Sequence, residues 1–282
     1  MFGPSSTQEE VYDTCVTPLL ESAFDGYNAT SRFAPCDLRI VLAYGQTGSG
    51  KTYTMGTAGR NVNYGDYGIV PRIIEEVFQK KEAIECENAD NTVMVRVSFL
   101  EIYGDTVRDL LEYDQASTKE VLIRSDEKGG VKIIGHKQVE VKSADELLDI
   151  LDNGCLYRAT GHTSMNAFSS RSHAIFTIYI DQQLCSQNSS TEQEEDVESC
   201  KDLKQSKFHF VDLAGSERTG RANTEGKLMK EGININLGLL ALGKVISALG
   251  DEKKTGTEER GKGLTRRFPP YRESKLTRIL MD

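Results

Sequence analysis

Residues 41–52 read Val-Leu-Ala-Tyr-Gly-Gln-Thr-Gly-Ser-Gly-Lys-Thr and are the most informative stretch of the chain. The apolar run Val41–Tyr44 is typical of a buried strand, and Gly45–Thr52 fit the pattern G-x-x-x-x-G-K-[ST] without a gap. In this pattern the glycines let successive backbone N–H groups face an anion, and the following helix adds its positive N-terminal end. Lys51 can reach the outer phosphates, and the Thr52 hydroxyl can ligate Mg²⁺. The stretch therefore predicts a phosphate-binding loop.

A second apolar run, Phe208–Asp212, ends in the carboxylate that a phosphate-binding loop requires on a neighbouring strand. Asp212 stands where such proteins hold Mg²⁺. Gly215 follows three residues later, and its backbone N–H can contact the terminal phosphate. Because the chain has no Asn-Lys-x-Asp motif to bind guanine, we expect ATP rather than GTP as the ligand.

Strands and helices alternate along the rest of the chain. Periodicity and capping residues predict helices over Gln8–Phe24, Ile69–Glu85, a stretch starting at Ser143, Gly232–Leu249 and Tyr271–Met281. Apolar patterns predict strands over Thr92–Tyr103, Ala174–Gln182 and Lys207–Asp212, with short strands within Val121–Val141. Since no linker rich in proline, glycine or serine divides it, we predict a single α/β domain over residues 1–282.

Composition excludes several classes of protein. No apolar run is long enough for a transmembrane helix, and no secretory signal precedes the first helix. The six cysteines form no CxxC pair and no zinc spacing, which favours scattered thiols in a reducing compartment. His136, His162 and His209 stand alone and are expected to be structural. The net charge of −9, taken by itself, argues against an acidic partner.

Four motifs occur in order and identify a family. They are Gly45–Thr52, Asn166–His173 (Asn-Ala-Phe-Ser-Ser-Arg-Ser-His), Asp212–Glu217 (Asp-Leu-Ala-Gly-Ser-Glu) and Tyr271–Arg278 (Tyr-Arg-Glu-Ser-Lys-Leu-Thr-Arg). Together they resemble the kinesin motor domain over nearly the whole chain. Glu231–Asn236 and Ser170–Phe176 look closest to the chromokinesin-like group, kinesin family four. The resemblance implies a three-layer P-loop NTPase sandwich, with a central mixed sheet flanked by helices.

The resemblance also implies roles for particular residues. Asn166–His173 resembles switch I and Asp212–Glu217 resembles switch II, so Arg171 and Glu217 would pair and latch the two loops when the terminal phosphate is present. The implied catalytic residues are Ser169, Ser170, Arg171, Gly215 and Glu217. The implied nucleotide-binding residues are Gly45, Gln46, Thr47, Gly48, Ser49, Gly50, Lys51, Thr52 and Tyr53, the last stacking on adenine. The implied Mg²⁺ ligands are Thr52, Ser170 and Asp212.

The activity implied is microtubule-stimulated ATP hydrolysis, with ATP and Mg²⁺ as cofactors, driving movement along microtubules. Seven cationic side chains and one anionic side chain lie between Arg260 and Arg278, so a basic face can exist despite the acidic total. The microtubule-binding residues implied are Arg266, Arg267, Arg272, Lys275 and Arg278. The family further implies a cytoplasmic location on the cytoskeleton, or at the spindle or nucleus for a chromokinesin. It also implies dimerisation through a stalk, with no membrane or direct nucleic-acid contact.

The sequence departs from the family in three places. The first strand expected before Met1, and the last helix and neck linker expected after Asp282, are absent from these residues, so we expect a domain short at both ends. Ser31–Ile40 intervenes before the loop strand and is expected to bulge out or break that strand. The acidic Ser186–Asp202 and the basic Asp251–Arg267 are predicted to be loops, the first disordered and the second mobile.

These departures leave alternatives open. The chain could be an active motor domain, or a catalytically weak fragment that binds microtubules. A third interpretation is that the chain is a generic P-loop nucleotidase. Intact phosphate-binding and switch motifs favour the first, whereas the missing ends favour the second.

Overall fold

The computed structural model describes residues 1–25, 37–57, 64–112, 120–125, 130–160, 171–185, 201–217, 227–255 and 269–281. The α-helices in these ranges are α1 (Gln8–Cys15), α2 (Thr17–Asp25), α3 (Lys51–Met55), α4 (Ile69–Glu87), α5 (Ala144–Thr160), α6 (Lys227–Thr255) and α7 (Lys275–Ile279). The strands are β1 (Asp37–Ala43), β2 (Thr92–Tyr103), β3 (Thr106–Asp109), β4 (Leu122–Ser125), β5 (Val131–Ile134), β6 (Val139–Val141), β7 (His173–Cys185) and β8 (Lys201–Asp212).

The central sheet is mixed, as predicted. Its strand order is β1-β8-β7-β2-β3, and β6 also pairs with β2. Strand β1 runs parallel to β8, whereas the other pairs are antiparallel. Strands β4 and β5 form a separate two-stranded sheet.

Alternate residues of the central strands point to opposite faces of the sheet and give the fold two cores. On one face, Phe99 and Phe176 meet edge to face at 5.2 Å and pack with the apolar sides of α1, α2, α4 and α5. On the other face, Ile175 and Val211 pack with Leu242 of α6 and with three buried residues in and just after α7, Leu276, Ile279 and Leu280. The arrangement is a three-layer sandwich, which confirms the predicted fold class.

Several predicted boundaries are wrong for identifiable reasons. The first helix is two helices, because Pro18 lacks the N–H that would continue the hydrogen-bond ladder. Helix α6 continues past Gly250 to Thr255, since a single glycine costs a helix only about 1 kcal/mol and does not oblige it to end. The last predicted helix is a 3₁₀ turn followed by α7, which starts at a capping box formed by Ser274. Strand β3 was not predicted.

The predicted insertion is also partly corrected. Residues 37–40 neither bulge nor break the loop strand; they are its first half, paired in register with 206–209 of β8. The rest of that stretch, residues 31–36, lies outside the described ranges. So do residues 186–200 and 256–267, on which most of the two predicted loops fall.

Two further findings concern the chain as a whole. Within the described residues, no helix is both long and apolar enough to cross a membrane. The cysteines at positions 15, 86, 155 and 185 are free thiols.

Candidate nucleotide-binding site

Parallel pairing of β1 with β8 brings the two predicted motifs together. Ala43, the last residue of β1, lies opposite Asp212, the last residue of β8. Beyond this point the two chains stay in contact, because the Leu213 N–H donates to the Ala43 carbonyl at 3.3 Å and the Ser216 N–H donates to the Gly45 carbonyl at 3.1 Å. The loop after β1 and the loop after β8 therefore form one site at the end of the sheet.

The loop Gly45–Gly50 has the backbone that its glycines allow. Gly48 and Gly50 have φ values of 78° and 93°, in the left-handed region that favours glycine. Gly50 caps the start of α3. The Lys51 ammonium lies over the loop and donates to the carbonyls of Gly45 and Gln46, both at 3.0 Å. The predicted phosphate-binding residues thus converge, with the lysine at their centre.

The predicted metal ligands Thr52 and Asp212 are in direct contact. The Thr52 hydroxyl donates to Asp212 Oδ2 at 2.9 Å. Asp212 is buried, and its other oxygen, Oδ1, has no hydrogen-bond partner among the described residues. A hydroxyl oxygen beside a carboxylate oxygen with free lone pairs suits Mg²⁺, a hard ion that binds oxygen and retains waters.

The same residues do not make a metal cage by themselves. No group of three or more histidine, cysteine, aspartate or glutamate side chains suited to a metal occurs in the described part of the chain. Mg²⁺ is usually held by one or two protein oxygens together with substrate phosphates.

Glu217 reaches across to the phosphate-binding loop. Its carboxylate accepts the Thr47 N–H at 2.9 Å and the Thr47 hydroxyl at 2.5 Å. Partial burial acts to raise the pKa of Glu217, but the hydrogen bonds from Thr47 outweigh it and leave the pKa below its usual range. Glu217 is therefore anionic at neutral pH.

The contact between Glu217 and Thr47 leaves no room for a side chain at Gly215. A Cβ built on Gly215 would lie 2.2 Å from Glu217 Oε2 and 2.4 Å from the Thr47 hydroxyl oxygen. Any larger residue would have to displace the Glu217–Thr47 contact, so the spacing of Gly215 and Glu217 in the sequence has a steric reason.

Arg158 of α5 is a site residue that the sequence did not reveal. Its guanidinium is buried and donates to Asp212 Oδ2 at 3.1 Å and to the Ser172 carbonyl at 3.1 Å. The only signal in the sequence is its position: Leu147, Leu151, Gly154 and Arg158 follow a helical spacing, so a cation stands on a core-facing stripe.

His173 secures the segment that follows Asp212. Its Nδ1 accepts the Ala214 N–H at 3.1 Å. Burial lowers the pKa of His173 to about 4, and the nearby Arg158 cation lowers it further, so the ring is neutral and can accept this bond.

Tyr53, predicted to stack on adenine, lies at the edge of the site. Its ring is 52% exposed, and its carbonyl accepts the Gln8 side-chain amide at 2.8 Å. Tyr53 also lines a cavity of about 350 Å³ between the start of α1 and the segment around Gly65. A partly exposed side chain beside a cavity is available for stacking, and this role remains a prediction.

The remaining predicted catalytic residues are placed only in part. Ser169 and Ser170 lie outside the described residues, and Arg171 is half-buried just before β7. The Arg171–Glu217 pair is untested and stays a prediction; the contact found at Glu217 is with Thr47.

The predicted microtubule-binding residues divide into three kinds. Arg266 and Arg267 lie outside the described residues, whereas Arg272 is exposed. Lys275 and Arg278 are half-buried and serve internal contacts: Lys275 donates to the Asp105 carbonyl, and Arg278 donates to the Ile123 carbonyl at 2.9 Å. These two cations therefore contribute to the attachment of α7 as well as to surface charge.

Comparisons with known proteins extend this description. The family model for the kinesin motor domain matches residues 1–282. Kinesin-like protein KIF27 of Rattus norvegicus is 46% identical over 284 residues, covering 100% of this chain and 18% of that protein. Chromosome-associated kinesin KIF4 of Gallus gallus is 45% identical over 285 residues, covering 100% of this chain and 20% of that protein. The chain thus spans about a fifth of the length of the curated relatives it matches.

Two solved structures are similar in sequence and fold. One, of a fast kinesin, is 34% identical with a TM-score of 0.70, and the match covers 98% of this chain and 66% of that one. The other, a KIF14 dimer with AMP-PNP in complex with a microtubule, is 35% identical with a TM-score of 0.75, covering 98% and 67%. The predicted resemblance is confirmed over the whole chain, with chromosome-associated kinesins among the relatives beside KIF27.

Proposed function

The chain belongs to the kinesin motor domain family, and on that premise we propose that it hydrolyses ATP with Mg²⁺ and uses the energy for movement along microtubules. The observation that carries the proposal is the contact between the Thr52 hydroxyl and Asp212, which joins the phosphate-binding loop to the loop after β8. Two motifs 160 residues apart in the sequence thereby form one oxygen-lined site.

Lys51 and Glu217 are the side chains we expect to change partners when nucleotide binds. The Lys51 ammonium would leave the Gly45 and Gln46 carbonyls and bind phosphate oxygens. We expect this change because a hydrogen bond to a charged oxygen is stronger than one to a neutral carbonyl. Glu217 would leave Thr47 to pair with Arg171, and the Thr47 N–H would become free for the loop's anion. The Gly215 N–H is proposed to contact the terminal phosphate.

Catalysis would consist of positioning and charge neutralisation. Mg²⁺, when bound, supplies neutralisation of phosphate charge beside the Thr52 hydroxyl. Because the Thr52 hydroxyl donates its proton to Asp212 Oδ2, the lone pairs of that hydroxyl would remain available to hold the metal. Ser169 and Ser170 are proposed to orient the attacking water, with Ser170 also a metal ligand.

A microtubule-stimulated ATPase assay tests the proposal. We expect steady-state phosphate release by the 282-residue chain to rise when microtubules are added, and Lys51→Ala to abolish it, because the loop then loses its phosphate-binding cation. ATPase activity without any microtubule response would point to a general nucleotidase. A folded chain that pellets with microtubules but releases no phosphate would instead support a microtubule-binding fragment.

We also propose that the microtubule contact uses the basic C-terminal region together with α6 and α7. Among the predicted microtubule-binding residues that the structure describes, Arg272 is the best suited to a test, because it is exposed whereas Lys275 and Arg278 are half-buried. Neutralising Arg266, Arg267 and Arg272 together should weaken co-sedimentation and flatten its salt dependence while leaving basal ATPase unchanged. Lys275 and Arg278 should be left intact, because their internal hydrogen bonds would confuse the result.

A cytoskeletal location follows from the same proposal. A relative's structure contains a dimer on a microtubule, and the proposed dimer of the present protein would depend on a stalk beyond these residues. Localisation to the spindle or nucleus is proposed only for the case that the protein acts as a chromokinesin.

A further inference from the structure

Arg158 is one of the few charged side chains buried inside the described fold. It is only 7% exposed and lies on the face of α5 that packs against the sheet. Burying a cation is costly unless several partners compensate it, so its surroundings indicate what it does.

The guanidinium joins three separate elements. Nη1 donates to Asp212 Oδ2 at 3.1 Å, at the end of β8. Nη2 donates to the carbonyl and hydroxyl oxygens of Ser172, at 3.1 and 3.3 Å, directly before β7. Nε lies 3.7 Å from Glu101 Oε1 on β2. A planar fork of donors can meet partners in divergent directions, whereas the single nitrogen of a lysine cannot.

Glu101 is in turn held from its other side. It pairs with Arg108 of β3, whose guanidinium is 3.9 Å from Glu101 Oε2 and lies 4.3 Å over the Tyr157 ring. The cluster thus alternates charges from Arg108 through Glu101 and Arg158 to Asp212. A buried carboxylate between two cations is well suited to fix the position of Arg158.

The contact with Arg158 fixes the orientation of the Asp212 carboxylate. Oδ2 accepts from both Arg158 and the Thr52 hydroxyl, and Oδ1 has no hydrogen-bond partner among the described residues. Two donors that hold Oδ2 fix the orientation of the carboxylate and therefore the position of Oδ1. The same guanidinium also anchors the backbone at Ser172, which lies within the predicted switch I, Asn166–His173.

We propose that Arg158 is a positioning residue for Mg²⁺: it orients the Asp212 carboxylate and the start of β7 so that metal and nucleotide are retained together. This inference rests on the proposed ATPase function. It assigns to α5 a role in metal retention in addition to its role in the core. Loss of the arginine should weaken the metal site even when the positive charge is kept.

The test measures Mg²⁺-dependent retention of a fluorescent nucleotide. The 282-residue chain is loaded with N-methylanthraniloyl-ADP, and its release is followed by stopped flow over buffered concentrations of free Mg²⁺. We expect Arg158→Lys to raise the concentration of free Mg²⁺ that gives half-maximal retention by about tenfold, the usual effect of removing a residue that supports a metal ligand. Excess Mg²⁺ should restore retention, which a merely structural defect would not allow.

Arg96→Lys is the matched control. Arg96 lies on β2, as does Glu101, and donates to Asp181 at 2.6 Å and to Gln138 at 3.0 Å, far from the site along the strand. It should retain the wild-type Mg²⁺ midpoint. An unchanged or lower midpoint for a folded Arg158→Lys chain overturns the inference, as does an equal shift in Arg96→Lys.

A second variant covers the case in which Arg158→Lys fails to fold. Glu101→Gln keeps Arg158 but removes the charge that holds its Nε, so we expect a smaller shift of the Mg²⁺ midpoint in the same direction. An unchanged midpoint for a folded Glu101→Gln chain would then overturn the inference. The wild-type chain separates the two proposals: if its nucleotide retention is independent of Mg²⁺, the proposed function fails and the inference falls with it.

Discussion

Strand β8 carries two buried polar sites only three residues apart, and they differ in kind. His209, in the interior of the sheet, shares a hydrogen bond of 2.8 Å with the Thr177 hydroxyl on β7. Burial lowers the pKa of His209 to about 3, with a further contribution from the Lys207 cation, so this pair is neutral. Asp212, at the end of the strand, is instead compensated by the buried cation Arg158.

The difference separates features of the fold from features of the site. The neutral pair in the sheet has one hydrogen bond and no compensating charge, and His209 Nε2 has no hydrogen-bond partner among the described residues. A buried ion pair often stabilises a protein no better than apolar residues of the same volume. The charged pair at the end of β8 is therefore best explained by the chemistry of the site. The neutral pair in the interior of the sheet is best explained by packing.

The largest effect is expected from Gly215→Ala at the site. The added methyl group would collide with Glu217 and Thr47 beside the Gly215 N–H that we propose to contact the terminal phosphate. Misplacing a catalytic group by about 1 Å can reduce a rate by about 100-fold. We expect a loss of ATPase activity of that order, measured by steady-state phosphate release, with little change in thermal unfolding.

Gly238→Ala is the control for this variant. A Cβ at Gly238 would make only an ordinary contact, 3.6 Å from His173 Nε2, so activity should be retained. Equal activity of the two variants would show that the segment at Gly215 accepts a side chain without loss of the proposed contact between its N–H and the terminal phosphate.

The second prediction concerns the core beneath α5. A Cβ on Gly154 would lie 2.4 and 2.9 Å from carbons of the Phe99 ring. After allowing for the roughly 1 kcal/mol that alanine gains over glycine in a helix, we expect Gly154→Ala to lower the free energy of unfolding by about 2 kcal/mol. Chemical denaturation measures it.

The control is Gly243→Ala in α6, where a Cβ would meet nothing within 4 Å. It should be neutral or slightly stabilising. If Gly154→Ala also left the free energy of unfolding unchanged, that result would contradict the close packing of α5 against Phe99.

The third prediction uses pH. Because the folded-state pKa of His209 is about 3, below the value near 6.5 in an unfolded chain, the unfolded state binds more protons between these values. Stability should be fully present above about pH 6.5 and should fall, by roughly 1 kcal/mol per pH unit from this group, as the pH decreases toward 3. Urea denaturation of wild type and His209→Asn at pH 6, 5 and 4 gives the two slopes. The free energy of unfolding should depend less steeply on pH in the variant than in wild type, whatever the absolute stability of the variant. An equally steep dependence in both proteins would contradict a buried neutral His209 ring.

The smallest effect is expected at the surface. Arg272→Ala removes one exposed cation, and single exposed charges contribute about 0.2–1 kcal/mol. We expect microtubule affinity to fall by less than about fivefold at low salt and to converge with wild type at high salt. Lys142→Ala, an exposed cation before α5, is the control in the same co-sedimentation assay. A loss that persists at high salt would assign Arg272 a direct packing role.

Much of the fold and part of the site could be predicted because their signals are local. The glycine spacing of Gly45–Gly50, the apolar run before it and the carboxylate at Asp212 each lie within a few residues, and the structure joins them as expected. The ends of helices were less predictable, as Pro18 and Gly250 show, because one residue changes helix stability only modestly or in a way that neighbours can absorb.

The sequence by itself determined the phosphate-binding loop, since left-handed glycines and a following lysine specify a local backbone without help from distant residues. Tertiary structure alone decided which groups compensate the charges of the site. Thr47 meets Glu217 across 170 residues and Arg158 meets Asp212 across 54, and no local pattern records such pairs. The physical reason is that a buried charge must be satisfied by whatever element packs beside it, and packing is settled only when the whole sheet and its helices assemble.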